Sequence, residues 1–383
     1  MRVLISAGEA SGENYGAMLI PVLREIFGAQ TEFFGVGGER MRAAGCEIIV
    51  DSKSVAVIGI TEVIKHIPKI YREFYRMVAE AKRRSPDVAL LIDFPDFNLR
   101  LAQQLHKLGV PVVYFVSPQL WAWKKRRIRR VQRFVERMLV IFPFEESYYR
   151  ERGVPAEYVG HPLADLPLPL TSREELAQRL GLDPQKQWIA LLPGSRRREV
   201  LLNLPIMLQA AAELGGNYEF LLPVASTLTR EWMTARTANS AVPIHLLDDA
   251  RLAMFHARAS IVASGTATVE AALIGNPFIV VYRLSWLSYE IGRRFVRLSN
   301  YAMVNLIAGR EIVPELIQQR FTAKNVVTQM SRLLKDGAER ETMLQELKEV
   351  RQKLHLADPT RDDTAIKRAA LAVAAVAMTA KSD

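Results

Sequence analysis

Two short stretches decide the fold of this chain, residues 190–196 (ALLPGSR) and residues 261–270 (IVASGTATVE). Each begins with an apolar run typical of a buried strand, passes through a turn of small residues and continues as a helical pattern. A helix that starts directly after a strand presents unpaired N–H groups and the positive end of its dipole at the turn. Both turns therefore predict a site for an anion such as a diphosphate, and Arg196 adds a permanent charge with a planar set of donors.

Composition and charge limit the classes of protein to consider. A chain of 383 residues is longer than a single hydrophobic core usually supports, so two domains are expected. The formal net charge of +10 favours an anionic partner, which leaves nucleic acid, a phosphorylated ligand and an acidic membrane surface open. The single cysteine, Cys46, excludes an intrachain disulfide framework and fits a reducing compartment. The chain lacks an apolar run of about 20 residues and a signal peptide, so we expect a cytosolic protein, with contact at the inner membrane face left open.

Strand and helix patterns alternate along almost the whole chain, which predicts parallel sheets wrapped by helices. The alternation stops at the proline-rich residues 160–169 and then restarts, so the chain divides there. We predict two doubly wound α/β domains facing a cleft, residues 1–165 and 166–345, and a helical tail, residues 346–383, that packs across domains or subunits. The predicted strands are residues 3–6, 32–36, 47–50, 88–92, 112–116, 138–141, 188–192, 219–223, 244–246, 260–263 and 278–282.

Two turns of the first domain carry polar side chains. Residues 7–13 (AGEASGE) lack the dinucleotide pattern G-x-G-x-x-G and carry two carboxylates, so a ligand turn and a plain helix cap both remain open. Residues 91–98 (LIDFPDFN) place Asp93 and Asp96 at the carboxyl end of a buried strand, where the catalytic groups of α/β enzymes cluster. Asp96 either caps the next helix or points into the cleft, where partial burial would suit it as a general base.

Two further segments are candidates for a charged contact surface. In residues 117–130 (SPQLWAWKKRRIRR), Trp121 and Trp123 lead into a run of mostly basic residues. This pattern is open to nucleic-acid binding, to a lipid headgroup region and to a solvated basic face. Residues 60–74 form an amphipathic stripe with basic residues between the apolar ones, typical of an interfacial helix or of a core-facing helix kinked at Pro68.

The second domain offers two more segments. Glu270 lies in the helix after the second turn, where it could accept hydrogen bonds from ribose hydroxyls; a surface glutamate is the alternative. Residues 305–318 (NLIAGREIVPELIQ) place Pro314 at a predicted helix start with Glu315 in the first turn of that helix. The six histidines form no zinc pattern, and no Asp-x-Asp pair accompanies the two glycine turns.

Taken together, the chain resembles the lipid-A-disaccharide synthase family of inverting glycosyltransferases with the two-domain, Rossmann-like GT-B architecture. The matching segments run in order through most of the chain: residues 7–13, 41–45, 57–68, 92–98, 117–123, 160–165, 192–196, 264–270 and 304–318. The family joins UDP-2,3-diacylglucosamine to 2,3-diacylglucosamine 1-phosphate (lipid X), which makes the β-1,6 disaccharide of lipid A and releases UDP. The resemblance implies an acceptor- and membrane-facing first domain, a UDP-sugar-binding second domain and dimers that exchange C-terminal segments.

The resemblance also implies roles for single residues. Asp96 would be the base for the acceptor 6-hydroxyl, and Arg196 would stabilise the departing diphosphate. The residues implied around the nucleotide are Gly194, Ser195, Arg196, Ser264, Gly265, Thr266, Glu270, Asn305, Glu315 and Gln318. The implied N-terminal acceptor loop comprises Gly8, Glu9, Ser11 and Gly12, followed by Glu13, where the family usually has aspartate. The acyl chains of both substrates imply a membrane contact through Ile58, Ile60, Val63, Ile64, Ile67, Trp121 and Trp123.

These inferences predict an enzyme that needs no cofactor and no divalent metal. Inversion takes one direct displacement, with a base on one face of the sugar and a stabilised leaving group on the other. We expect a homodimer, peripheral to the cytoplasmic face of the inner membrane of a Gram-negative bacterium. Two alternatives stay open: a GT-B epimerase or transferase acting on soluble UDP-sugars, and a basic nucleic-acid-binding protein that uses residues 121–130.

Overall fold

The computed structural model of the chain describes residues 1–55, 60–121, 127–284, 300–356 and 363–379, with the side chains of residues 60–67 left out. The chain forms two compact units. The first comprises Met1–Asp165 together with Leu354–Asp383, and the second comprises Leu166–Lys353. The boundary expected between residues 345 and 346 falls inside a helix, Ala338–Leu354, and the second unit ends later than predicted, at Lys353.

Each unit is built on one sheet in which all strand pairings are parallel. The strands of the first sheet are β1 (Arg2–Ala7), β2 (Glu32–Gly37), β3 (Cys46–Asp51), β4 (Val88–Ile92), β5 (Val112–Phe115), β6 (Arg137–Val140) and β7 (Ala156–Tyr158). Those of the second are β8 (Gln187–Leu192), β9 (Tyr218–Pro223), β10 (Ile244–Leu247), β11 (Ala259–Ala263), β12 (Phe278–Tyr282) and β13 (Glu315–Ile317).

Helices connect most of these strands, as the alternating pattern predicts. In the first unit they are α1 (Ala10–Phe27), α2 (Glu39–Ala43), α3 (Ser52–Val55), α4 (Ile60–Arg84), α5 (Pro95–Lys107), α6 (Ile128–Phe134) and α7 (Pro143–Arg150). The second unit has α8 (Arg173–Leu180), α9 (Arg197–Leu214), α10 (Arg230–Thr237), α11 (Ala250–His256), α12 (Thr266–Ile274), α13 (Met303–Ala308), α14 (Ala323–Leu334) and α15 (Ala338–Leu354). The last helix is α16 (Ala365–Thr379). Across the described ranges, no helix combines the length and apolar content needed to cross a bilayer.

The strand order reverses once in each sheet. The first sheet runs β3-β2-β1-β4-β5-β6-β7 and the second runs β10-β9-β8-β11-β12-β13. The connections from β1 and from β4 therefore leave in opposite directions, and so do those from β8 and β11. In doubly wound sheets, ligands bind outside the carboxyl ends of the strands at this point of reversal. All four turns singled out in the sequence follow one of these strands.

The predicted strands are confirmed, and two further strands were missed. β7 and β13 have three residues each, too few to show a pattern. The helix predicted to start at Pro314 is wrong, because Glu315 begins β13, whose residues pair with β12. Pro68 lies inside α4, which is helical from Ile60 to Arg84.

The C-terminal helix returns to the first unit. α16 packs against α1, and Ala369, Ala370 and Val373 are fully buried. The Ala365 N–H donates to the Asp165 carboxylate at 2.7 Å, which ties the start of the helix to the end of the first domain. The C-terminal helix thus belongs to the first unit, from Leu354 onward, and the exchange of the tail between subunits stays a prediction.

This packing makes a prediction with a matched control. We expect Val373→Asp to lower the free energy of unfolding by more than about 3 kcal/mol, because it buries an unpaired carboxylate. The same change at Leu371, whose side chain on the same helix is 52% exposed, should cost less than about 1 kcal/mol. Urea denaturation of both variants is the measurement, and equal losses would contradict the packing of α16.

Candidate active site

A strained turn follows β4. Asp93 and Phe94 both have left-handed backbones, with φ of 46° and 52°, which residues with a Cβ rarely adopt. The buried Asn98 holds the turn, because its Nδ2 donates to the backbone carbonyls of Ser6 at 3.2 Å and Asp93 at 2.8 Å. The Tyr114 hydroxyl also donates to the Asp93 carbonyl, at 2.6 Å. These contacts fix the path of the chain immediately before Asp96.

Asp96 lies in the first turn of α5 and is not its cap. The cap position is Phe94, so the helix-cap alternative for Asp96 is wrong. The Asp96 side chain is 66% exposed, more than the partial burial expected of a tuned base, and it forms an ion pair with Arg127. A solvent-accessible carboxylate in the first turn of a helix can accept a proton from a hydroxyl brought to it.

The turn after β1 packs directly on the turn after β4. A Cβ at Gly8 would lie 2.3 Å from Cδ1 of the Phe94 ring, so only glycine allows this approach. Glu9 takes the cap position of α1, and Ser11 and Gly12 lie in the first turn of that helix. The predicted acceptor loop and Asp96 are thereby brought to the same edge of the first sheet.

Glu13 has a structural contact of its own. Its Oε1 accepts a hydrogen bond from the Arg40 backbone N–H at 2.8 Å, at the start of α2. A Cβ at Gly38 would lie 2.5 Å from the other carboxylate oxygen. The carboxylate at position 13 therefore joins α1 to α2, which accounts for its presence without a catalytic role.

In the second unit, the turn after β8 already holds an anionic group. The Glu199 carboxylate accepts the backbone N–H of Ser195 at 3.2 Å and of Arg196 at 3.3 Å, and it lies 3.2 Å from Arg196 Nη1. A glutamate in the first turn of a helix commonly makes such a capping contact. Gly194, with φ of 117°, permits it, since a Cβ there would lie 2.7 Å from Glu199 Oε2. The donors that the sequence predicts for a diphosphate thus converge on one negative charge.

The turn after β11, the second predicted anion site, lies next to the turn after β8, because β11 pairs with β8. Ser264 follows the strand, Gly265 takes the cap position of α12 and Thr266 is the first residue of that helix. Gly265 and Thr266 are exposed, and among the described residues no atom beyond the two chain neighbours of Gly265 lies within 4 Å of the position that a Cβ on it would take. The first N–H groups of α12 are therefore accessible to a ligand at the carboxyl edge of the sheet.

Glu270 lies further along α12 and is half-buried. Burial raises the pKa of the Glu270 carboxyl above its usual value, while Arg251 opposes that rise and Asp249 adds to it. A freely solvated surface glutamate, the alternative considered from the sequence, does not fit this environment. A contact with ribose hydroxyls stays a prediction.

The side chains of Asn305 and Glu315 are joined by a hydrogen bond. Asn305 Nδ2 donates to the Val313 carbonyl at 3.0 Å and to Glu315 Oε1 at 2.8 Å, and Asn305 Oδ1 accepts the N–H groups of Ile312 and Val313. Glu315 also accepts the Ala302 backbone N–H at 2.8 Å, just before α13. Both side chains thus hold the connection between α13 and β13, and their contact with a nucleotide stays a prediction.

Gln318 lies at the carboxyl end of β13, in the second sheet. It directly follows β13, it is 8% exposed and its backbone is left-handed, with φ of 54°. Arg283 donates to the Gln318 carbonyl at 3.2 Å, which ties the turn after β13 to the end of β12. Its position agrees with the predicted nucleotide region, and the contact itself stays a prediction.

The predicted membrane residues are described only in part. Ile58 and Trp123 lie outside the described residues, and Ile60, Val63, Ile64 and Ile67 belong to α4 without described side chains. Trp121 is half-buried, and its Nε1 donates to the carboxylate of Glu145 at 3.1 Å. The indole N–H of Trp121 is thus hydrogen-bonded within the protein, whereas the N–H of an interfacial tryptophan faces water.

Sequence reasoning missed three polar residues that shape the turns, Asn98, Glu145 and Glu199. Asn98 and Glu145 are almost fully buried, with exposures of 0% and 1%. Asn98 occurs among apolar residues on the buried face of α5, and that interruption is the signal that could have revealed it. Glu199 lies three residues after Arg196, the spacing of a helix-capping glutamate.

The fold of this chain is similar to that of the Neisseria meningitidis UDP-GlcNAc 2-epimerase bound to UDP-GlcNAc, with a TM-score of 0.63 and 12% identity over 99% of this chain and 100% of that one. The calicheamicin glycosyltransferase CalG4 gives a TM-score of 0.61 with 12% identity, over 99% and 98% of the two chains. At such identities the likeness concerns the fold alone, and it is the α/β GT-B fold of glycosyltransferases and epimerases.

Sequence relatives define the family. A family model described as lipid-A-disaccharide synthetase matches residues 3–369. Lipid-A-disaccharide synthase of Koribacter versatilis is 55% identical over 98% of this chain and 99% of the relative, and that of Acidobacterium capsulatum is 56% identical over 92% and 91%. The chain belongs to the lipid-A-disaccharide synthase family. It is a glycosyltransferase of lipid A biosynthesis that acts on sugar-nucleotide precursors, which confirms the leading prediction over the two alternatives.

The Glu199 contact makes a prediction about nucleotide affinity. We expect Glu199→Gln to bind UDP about fivefold more tightly, because the amide oxygen still accepts hydrogen bonds while the charge that repels a diphosphate is gone. Glu213→Gln, near the far end of α9, is the matched control and should leave the Kd unchanged. Titration calorimetry with UDP measures both variants. Weaker binding by the Glu199 variant would mean that this carboxylate positions Arg196 and does not compete for its donors.

Proposed function

We propose that the enzyme condenses UDP-2,3-diacylglucosamine with 2,3-diacylglucosamine 1-phosphate by one inverting displacement and releases UDP. The observation that carries this proposal is the turn after β8, where two backbone N–H groups and the Arg196 guanidinium converge on one negative charge. A diphosphate presents the same chemistry as the Glu199 carboxylate, with more charge. This turn is therefore our candidate for the site that stabilises the leaving group.

The proposed chemistry uses a carboxylate base and a cationic group that stabilises the leaving group. Asp96 takes the proton of the acceptor 6-hydroxyl as its oxygen attacks the anomeric carbon of the UDP-sugar. The bond from that carbon to the β-phosphate oxygen breaks, and its electron pair leaves with UDP. Arg196 and the N-termini of α9 and α12 stabilise the charge that develops on the diphosphate. Because fixed positive groups take this role, we propose that turnover needs no divalent metal and is unchanged by EDTA.

We further propose that the enzyme works as a homodimer at the cytoplasmic face of the inner membrane. Both substrates carry acyl chains, so they reside in a bilayer. The described part of α4 supports a bilayer contact, because Tyr71 and Tyr75 are exposed beside the exposed Arg72 and Arg76. Aromatic rings next to cationic side chains suit a headgroup region. Ile60, Val63, Ile64 and Ile67 begin the same helix and are proposed to enter the bilayer.

The role of Asp96 is tested by replacing it. We expect Asp96→Asn to lower kcat by at least about 100-fold, because the amide cannot take the proton. The UDP Kd should not change, since the proposed nucleotide residues belong to the second unit. Stability should change by less than about 1 kcal/mol, because the Asp96 side chain in the lost ion pair is 66% exposed.

Asp248→Asn is the control for that experiment. Its carboxylate is 80% exposed and pairs with Arg230 on the surface. Full turnover by this control, together with a folded and inactive Asp96→Asn, supports the assignment. Normal turnover by Asp96→Asn would remove Asp96 as the base.

A further inference from the structure

A buried carboxylate follows β6, at the carboxyl edge of the first sheet, and has no part in the chemistry above. Glu145, in the first turn of α7, is 1% exposed. Its Oε1 accepts the Ser117 hydroxyl at 2.6 Å and the Trp121 indole N–H at 3.1 Å, and its Oε2 accepts the Phe142 backbone N–H at 3.3 Å. Burial raises the pKa of Glu145 to about 7. A buried carboxyl group is costly unless its acceptors are satisfied, and here three donors satisfy it.

Other contacts also hold the segment from Val116 to Trp121, which Glu145 binds through Ser117 and Trp121. Val116, directly after β5, has a φ of 61°, a strained value for a β-branched residue. The Tyr149 hydroxyl donates to the Pro118 carbonyl at 2.9 Å. The Trp121 ring meets Phe144 edge-on, with 5.1 Å between the ring centroids and an interplanar angle of 87°. These contacts set both the position and the orientation of the indole.

The fold places this indole at the edge where Asp96 lies. β5 pairs with β4, and the Asp93 N–H donates to the Phe115 carbonyl at 3.0 Å. The chain that leaves β5 thus starts beside the Asp96 turn, and further along the same connection Arg127 pairs with Asp96. Because the indole N–H donates to Glu145, a ligand that reached this half-buried ring would meet its apolar atoms.

We propose that Glu145 is a positioning residue that fixes Trp121 as a contact for the sugar-lipid acceptor at the carboxyl edge of the first sheet. This inference rests on the proposed function, because it takes the acceptor to bind where Asp96 lies. Trp121 is then an acceptor-binding residue, with Glu145 acting through it. If Glu145 were purely structural, its replacement would impair folding and change the KM for both substrates alike. The proposed role predicts a change in the KM for the acceptor alone.

The test is a double-mutant cycle with Trp121→Phe and Glu145→Gln. Trp121→Phe keeps an aromatic ring and removes the N–H, and Glu145→Gln removes the charge and one acceptor. We expect each variant to raise the KM for the acceptor about fivefold or more, the size of one ordinary net hydrogen bond. The KM for the UDP-sugar and kcat should stay within about twofold, and the double variant should match Glu145→Gln rather than multiply the two effects. Glu151→Gln, exposed at the end of α7, is the control.

The outcomes separate this inference from the proposed function. A wild-type enzyme that releases no UDP from the two acylated sugars contradicts the proposed function itself. A wild-type enzyme that turns over, with an unchanged acceptor KM in both variants, overturns the role of Glu145 alone. Equal rises in both KM values, or multiplying effects in the double variant, overturn it as well. If Glu145→Gln does not fold, the acceptor KM of Trp121→Phe decides.

Discussion

The rest of this structure depends on the reversal of strand order in its two parallel sheets. At β1 and β4, and again at β8 and β11, neighbouring strands send their connections in opposite directions. Because the two connections diverge, no connecting helix covers the carboxyl edge of the sheet at that point. Backbone and side-chain groups from both turns can therefore meet there. Asp96 and the Gly8 turn use the first of these positions. Arg196 and the Gly265 turn use the second.

Buried polar side chains give these turns their shape. Asn98 satisfies the carbonyl groups of a left-handed turn, and Glu145 satisfies the donors of the next one. Asn305 does the same between α13 and β13. Backbone groups buried away from water need such partners, and each partner then selects one path for the chain. Catalytic side chains positioned in this way need little reorganisation during the reaction.

The sequence predicted the parts that depend on repeated patterns. Apolar runs followed by small-residue turns located β8 and β11, and the proline-rich break at residues 160–169 located the division of the chain. What it could not show depends on contacts between residues far apart in sequence. Glu315 looked like a helix start because Pro314 precedes it, but pairing with β12 made it a strand. Two contacts depend on the orientation of side chains, which a sequence pattern does not contain. Glu199 occupies the turn that holds Arg196, and Trp121 donates a hydrogen bond to Glu145.

The turn that holds Arg196 and the carboxylate of Asp96 are proposed to serve a single sugar transfer. The most direct measurement is the release of labelled UDP from UDP-2,3-diacylglucosamine, with and without 2,3-diacylglucosamine 1-phosphate, in the presence of EDTA. We expect UDP and the β-1,6 disaccharide in equal amounts, and only when both acylated sugars are supplied. Release of UDP without the acceptor, or a product with the donor's anomeric configuration retained, would contradict it.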